Sequence, residues 1–197
     1  MKPARLFFAT ALTLAALVPA APVAAQGPGV PGRHLIRFGF GGGVSVPTSD
    51  ARKALENGIN GQAYVLLDPG IGFPLRFNLG YQRFDYKSAI AGLGGGQSTI
   101  VSGVGGISID LLQLGPITPY ATAGLGAFNV KDEFAAAGAT GTTSATNFGI
   151  DGGGGLRLRL GRLDAFVEGR VQNVYTDQGA IDTKSIRSVP VTFGFLF

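Results

Sequence analysis

The chain has 197 residues, 33 of them glycine; only 14% are charged and the formal net charge is +4. Zero cysteines and a single histidine exclude a disulfide scaffold, a cysteine nucleophile and a thiolate or multi-histidine metal site, and no cofactor is expected. Hydrophobic residues make up 45%, yet nothing after the first 25 residues runs apolar for the ~20 residues that a membrane-spanning helix needs.

Residues 1–25 read as an address. Lys2 and Arg5 form a positive start, an apolar stretch broken only by Thr10 and Thr13 follows, and Val23-Ala24-Ala25 offers small residues for cleavage before Gln26. The expected product is a secreted chain whose charge falls to +2 once Lys2 and Arg5 leave. So small an excess, with no basic cluster interleaved by aromatics, gives no case for nucleic acid. Residues 26–34 form a Gly/Pro-rich lead-in, and residues 35–197 one domain.

From Leu35 onward, apolar and small or polar residues alternate with period two, the signature of strands with two unlike faces. Ile36, Phe38, Phe40, Val44 and Val46 oppose Arg37, Gly39, Gly41, Gly43 and Ser45. A second segment spans residues 61–68. Leu75, Phe77, Leu79 and Tyr81 oppose Arg76, Asn78, Gly80 and Gln82. Val101, Ile107, Ile109 and Leu111 oppose Ser102, Gly106, Ser108 and Asp110. Residues 119–130 make a fifth segment. Leu156, Leu158 and Leu160 oppose Arg157 and Arg159, and Ala165, Val167 and Val171 oppose Glu168, Arg170 and Gln172. Last, Val189, Val191, Phe193, Phe195 and Phe197 share one face. Eight strands are expected.

The non-apolar face has almost no Lys or Glu, and a soluble protein with such an outer surface would aggregate. An inverted arrangement suits both faces: apolar residues outward against lipid, small polar ones inward around a narrow lumen. The connections alternate as such a barrel requires, with long loops at residues 47–60, 87–97, 131–145 and 177–187. Short turns fall at 69–72, 113–116 and Gly161-Arg162. Transmembrane barrels have short periplasmic turns and longer extracellular loops, which puts both termini in the periplasm. Residues 135–146 (AAAGATGTTSAT) are low in complexity, and one helical turn is expected within residues 51–57.

PYATAGLGAF (residues 119–128), FGIDGGGGLRLRLGRLDAFVEGR (148–170) and the terminal PVTFGFLF (190–197) resemble the eight-stranded outer-membrane β-barrel proteins of bacteria, and the resemblance covers nearly all of residues 33–197. It implies an all-β, antiparallel up-and-down transmembrane barrel in the outer membrane, with outer-membrane lipids as surroundings. The Phe166, Glu168, Arg170 strand matches the family's "aromatic-x-Glu-x-Arg" pattern. Phe193, Phe195 and Phe197 match its C-terminal signal, which implies the barrel assembly machinery as a partner.

Fold does not fix activity in such a family. The glycine runs offer no G-x-G-x-x-G or Gly-Lys phosphate loop, and the sole imidazole, His34, has no G-x-S-x-G serine to serve. The inward charges are Arg37, Arg76, Asp110, Arg157, Arg159, Glu168 and Arg170, five positive against two negative. A structural ion network filling the lumen is the expectation, because buried charges need partners. The sequence thus points to a non-catalytic structural or surface-interaction protein whose long loops meet an unknown ligand. A narrow pore, a lipid-modifying enzyme and a soluble lipocalin-like binder are the alternatives.

Overall fold

A computed structural model of the chain describes residues 35–48, 51–87, 96–136, 139–175 and 185–197. Residues 1–25, expected to be a signal segment, the expected lead-in and His34 lie outside the described residues. The alternating segments form β1 (Ile36–Thr48), β2 (Gly58–Leu67), β3 (Leu75–Asp85), β4 (Gly96–Asp110), β5 (Ile117–Ala136), β6 (Ala139–Leu160), β7 (Leu163–Tyr175) and β8 (Ser185–Leu196). Each pairs antiparallel with the next, and β1 pairs with β8, closing an up-and-down barrel without free edges around its girth.

Register follows the pleat. Phe38 lies opposite Val65, Leu79 opposite Gly103, and Phe193 opposite both Gly42 and Val167. These side chains point away from the lumen and stay bare, Leu79 65% and Phe193 61% exposed. Arg76, Asn78, Gln82, Glu168, Arg170, Gln172 and Thr192 point inward and are buried. The barrel is therefore apolar outside and largely polar inside.

Two-residue hairpins favour turns with φ > 0, and Gly161, at φ 75°, supplies it between paired Leu160 and Leu163. Other glycines make room for lumen rings: a β-carbon on Gly39 would enter the Tyr64 ring, and one on Gly155 would meet Tyr120.

Two expectations change. The long loop anticipated at residues 131–145 is mostly strand, with β5 and β6 paired from Ile117↔Leu158 up to Ala136↔Ala139. Its Ala, Gly and Thr residues give a weak local signal, but an existing ladder extends through small side chains. The inner face is also not uniformly small and polar. Leu55, Phe84, Ile100, Val104, Phe128, Val130 and Val174 form an apolar cluster at the loop end, joined by Ala51 and Ala54 of α1 (Ala51–Ala54). This helix is the turn expected within residues 51–57. Tyr64, Leu66, Phe166 and Leu196 form a second cluster toward the termini.

Candidate functional site

Between the two apolar clusters lies the ionic layer. β7 rises from the terminal end, so its inward residues climb the lumen in order: Asp164, Phe166, Glu168, Arg170, Gln172, Val174. Glu168 is 1% exposed, and its carboxylate is met on every side. From β3, Arg76 Nη1 donates to Oε2 and Nη2 to Oε1 at 3.0 Å. From β2, Gln62 Nε2 donates to Oε1 at 3.1 Å, and from β5 the Tyr120 hydroxyl donates to Oε2 at 2.9 Å. Arg170 Nε stands 3.3 Å from Oε1. Four strands are thus tied across the lumen through one side chain.

The network runs on from there. Arg170 Nη1 donates to Asp151 at 2.7 Å and Nη2 to Gln62 Oε1 at 2.8 Å. The Arg76 guanidinium lies 3.9 Å above the Tyr64 ring, a cation–π contact. Toward the loop end Gln82 bonds Gln172, Ser188 donates to Gln82 at 3.2 Å, and Thr192 donates to Asn60 at 2.7 Å. At the terminal mouth Arg157 pairs with Asp110 at 3.0 Å and Arg37 with Asp164 at 3.6 Å.

Of the seven residues singled out by alternation, Arg76, Glu168 and Arg170 come together at the centre. Arg37, Arg157 and Asp110 sit at the mouth, and Arg159 is exposed at its rim, opposite Asp164 in register. The sequence reading leaves out Asp151 and Asp164. Asp151 faces inward between Ile150 and a run of four glycines, and the glycines after it carry no side chains to continue the alternation. Asp164 is the second residue of β7, two positions past the Gly161-Arg162 turn. With both included, Arg37, Arg76, Arg157 and Arg170 are balanced by Asp110, Asp151, Asp164 and Glu168. The excess of arginine is gone.

A cavity of about 10 Å³, room for one water, lies among Arg76, Asn78, Thr122, Asp151 and Arg170. The Asn78 amide has no hydrogen-bond partner there among the described residues. Beyond the barrel, Glu133 is held below the usual carboxylate range by Lys131 at 2.5 Å and Gln97 at 2.6 Å.

Phe193, Phe195 and Phe197 lie on the outer wall by the β1–β8 closure. The Phe197 ring stands 6.3 Å from Phe38 and 5.9 Å from Phe40. Its backbone exchanges hydrogen bonds of 2.9 and 2.8 Å with Phe38, so it extends the closing ladder.

Solved outer-membrane proteins share the closed eight-stranded antiparallel barrel fold. The chain is similar to Neisserial surface protein A, with TM-score 0.60, 16% identity, and 83% of this chain and 96% of that one covered. It is similar to Ail, the attachment invasion locus protein of Yersinia pestis (0.56; 14%; 82% and 97%), and to the outer membrane protein OprG of Pseudomonas aeruginosa (0.52; 12%; 82% and 95%). No protein-family profile and no curated protein matches the chain.

Proposed function

We propose that this protein is a non-catalytic barrel of the bacterial outer membrane that presents its loop end at the cell surface in a structural or interaction role. The observation that carries the reading is the lumen whose described charges pair off, Arg37, Arg76, Arg157 and Arg170 with four acids, in a layer between two apolar clusters. A solute would have to displace packed side chains and break ion pairs to pass. The exposed apolar wall calls for lipid around it. Among the described residues no helix is long and apolar enough to cross a membrane, so strands would make the crossing. Residues 1–25 would direct export and be removed, and Phe193, Phe195 and Phe197 would engage the assembly machinery.

Two proteins of this fold carry surface roles in their names, Neisserial surface protein A and the attachment invasion locus protein Ail. Ail also has a structure in complex with the heparin analogue sucrose octasulfate. The carboxylate of Glu168, saturated by donors, is poorly placed for acid–base work.

Planar-bilayer recording tests the plug. The expected result is no steady conductance from the refolded protein at neutral pH. A stable unitary conductance would replace this reading with the narrow pore, and turnover of phospholipid or lipid A would replace it with the enzyme.

A further inference from the structure

One buried side chain beside the ionic layer has its bonds unmade. Asn78 points inward from β3, opposite Tyr64 and Val104 in register, and is 3% exposed. Neither Nδ2 nor Oδ1 of its amide has a hydrogen-bond partner among the described residues. Arg76, two residues away on the same face, is in a similar position. Its Nη atoms are engaged with Glu168 and Gln62, while its Nε is buried and likewise without a partner. A polar atom that leaves water and gains no bond in exchange is costly. Here three such atoms belong to two residues that line one cavity.

That cavity measures about 10 Å³, the size of one water molecule. Thr122, Gly124, Asp151 and Arg170 complete its polar side. Gly124 helps to keep it open, because a β-carbon there would stand 2.7 Å from Val104 Cγ1 and 3.1 Å from Asp151 Oδ1. Asp151 gives Oδ2 to Arg170 at 2.7 Å, so Oδ1, the oxygen beside Gly124, is the one turned to this space. Thr122 donates its hydroxyl proton to the Ile107 carbonyl at 3.0 Å and has only lone pairs to offer the cavity.

The lining selects the occupant. An anion would meet the Asp151 carboxylate. A cation would meet Arg76 and Arg170, neither of which can give up its proton. Those two arginines are already balanced by Asp151 and Glu168, so no charge is left for an ion to neutralise. An apolar filling would leave the amide unbonded. What remains must both accept from Arg76 Nε or Asn78 Nδ2 and donate to Asn78 Oδ1 and Asp151 Oδ1. Water does both, and polar cavities of this size with two to four partners hold one.

We propose that a single water molecule is a fixed part of this barrel, held among Arg76, Asn78, Thr122 and Asp151. It joins the Arg76–Glu168 pair to the Arg170–Asp151 pair, so that the ionic layer is continuous from β3 to β6 along this side of the lumen. The proposal concerns the interior, and it stands apart from any role of the loop end.

The test uses the refolded protein in detergent micelles. Nuclear Overhauser spectra of the wild type should show cross-peaks from the Asn78 amide protons and the Arg76 Nε proton to water, with the sign that marks a water tumbling with the protein. Oxygen-17 relaxation dispersion counts such waters. Asn78→Leu, similar in volume but apolar, should hold one fewer than wild type. Should that variant not fold, the wild-type spectra decide alone. Cross-peaks from the Asn78 amide to protein protons only would overturn the proposal. So would an equal water count in wild type and a folded Asn78→Leu. A third result would overturn it as well: movement of the Asn78 and Arg76 signals as chloride is titrated at constant ionic strength, which would put an anion in the site.

Discussion

Truncating Glu168 to alanine removes the carboxylate on which five contacts converge, from Arg76 twice, Gln62, Tyr120 and Arg170. The cost depends on what the stranded groups can still find. Arg170 keeps Asp151 at 2.7 Å and Gln62 at 2.8 Å. Arg76, 3% exposed, keeps only Gln62 Oε1 at 3.3 Å and the face of Tyr64. One cation is left uncompensated. Breaking a buried pair in this way costs about 3–5 kcal/mol, two to four powers of ten in the folding equilibrium at roughly 1.4 kcal/mol each. Glu168→Gln keeps the shape and part of the hydrogen bonding, and should lose roughly half as much.

The decisive comparison is with Arg76→Leu combined with Glu168→Leu. If the pair's worth lies in mutual compensation, replacing both ions by apolar groups is nearly neutral, within about 1–2 kcal/mol of wild type. The chain has no tryptophan, so far-UV circular dichroism against urea, in one fixed detergent or lipid, is the readout. An alanine variant with an unchanged midpoint, or a double variant as damaged as the single one, would refute the reasoning.

A tag inserted between β5 and β6 should be accessible on intact cells, and one at Gly115, in a turn at the opposite end, should not; the reverse pattern overturns the orientation. Deleting Phe197 removes two backbone hydrogen bonds to Phe38 and two ring contacts, about 1–2 kcal/mol in refolded protein. It should lower outer-membrane yield far more, and normal yield would sink the assembly-signal role. Phe193→Arg puts a charge on the bare outer wall and should cost about 2–4 kcal/mol if the site is near mid-bilayer, measured as detergent or lipid unfolding. An unshifted midpoint would place Phe193 outside the lipid.

Period two made the eight strands legible, because each barrel strand has one wall in each environment, and the Gly161-Arg162 turn was marked by its glycine. Strand length was harder to see. The wall pattern stops where the wall stops, so above Ala127 and Phe148 the chain has no apolar face to advertise, although hydrogen bonding carries the β5–β6 ladder on to Ala136↔Ala139. The loop-end cluster was hidden for a related reason. Phe84, Ile100 and Phe128 occupy inward positions, and there an apolar residue reads as a break in the alternation.

The ionic layer shows how far a charge count can mislead when the partners are not known. Alternation places Arg37, Arg76, Arg157 and Arg170 inward correctly, but it exposes only two of their four acids. Asp151 sits between Ile150 and a run of four glycines, and what makes it a lumen residue is Arg170 on the next strand, 2.7 Å away. Asp164 becomes the partner of Arg37 only when the ends of β1 and β7 are brought to one mouth, on either side of β8. Those acids are remote in sequence from their arginines or follow a turn, so barrel closure, not local pattern, creates the pairs. Neutrality of the lumen is therefore a tertiary property. It turns the inferred excess of positive charge into a set of closed pairs. Each pair joins different strands, so the charges that block the lumen also tie the wall together.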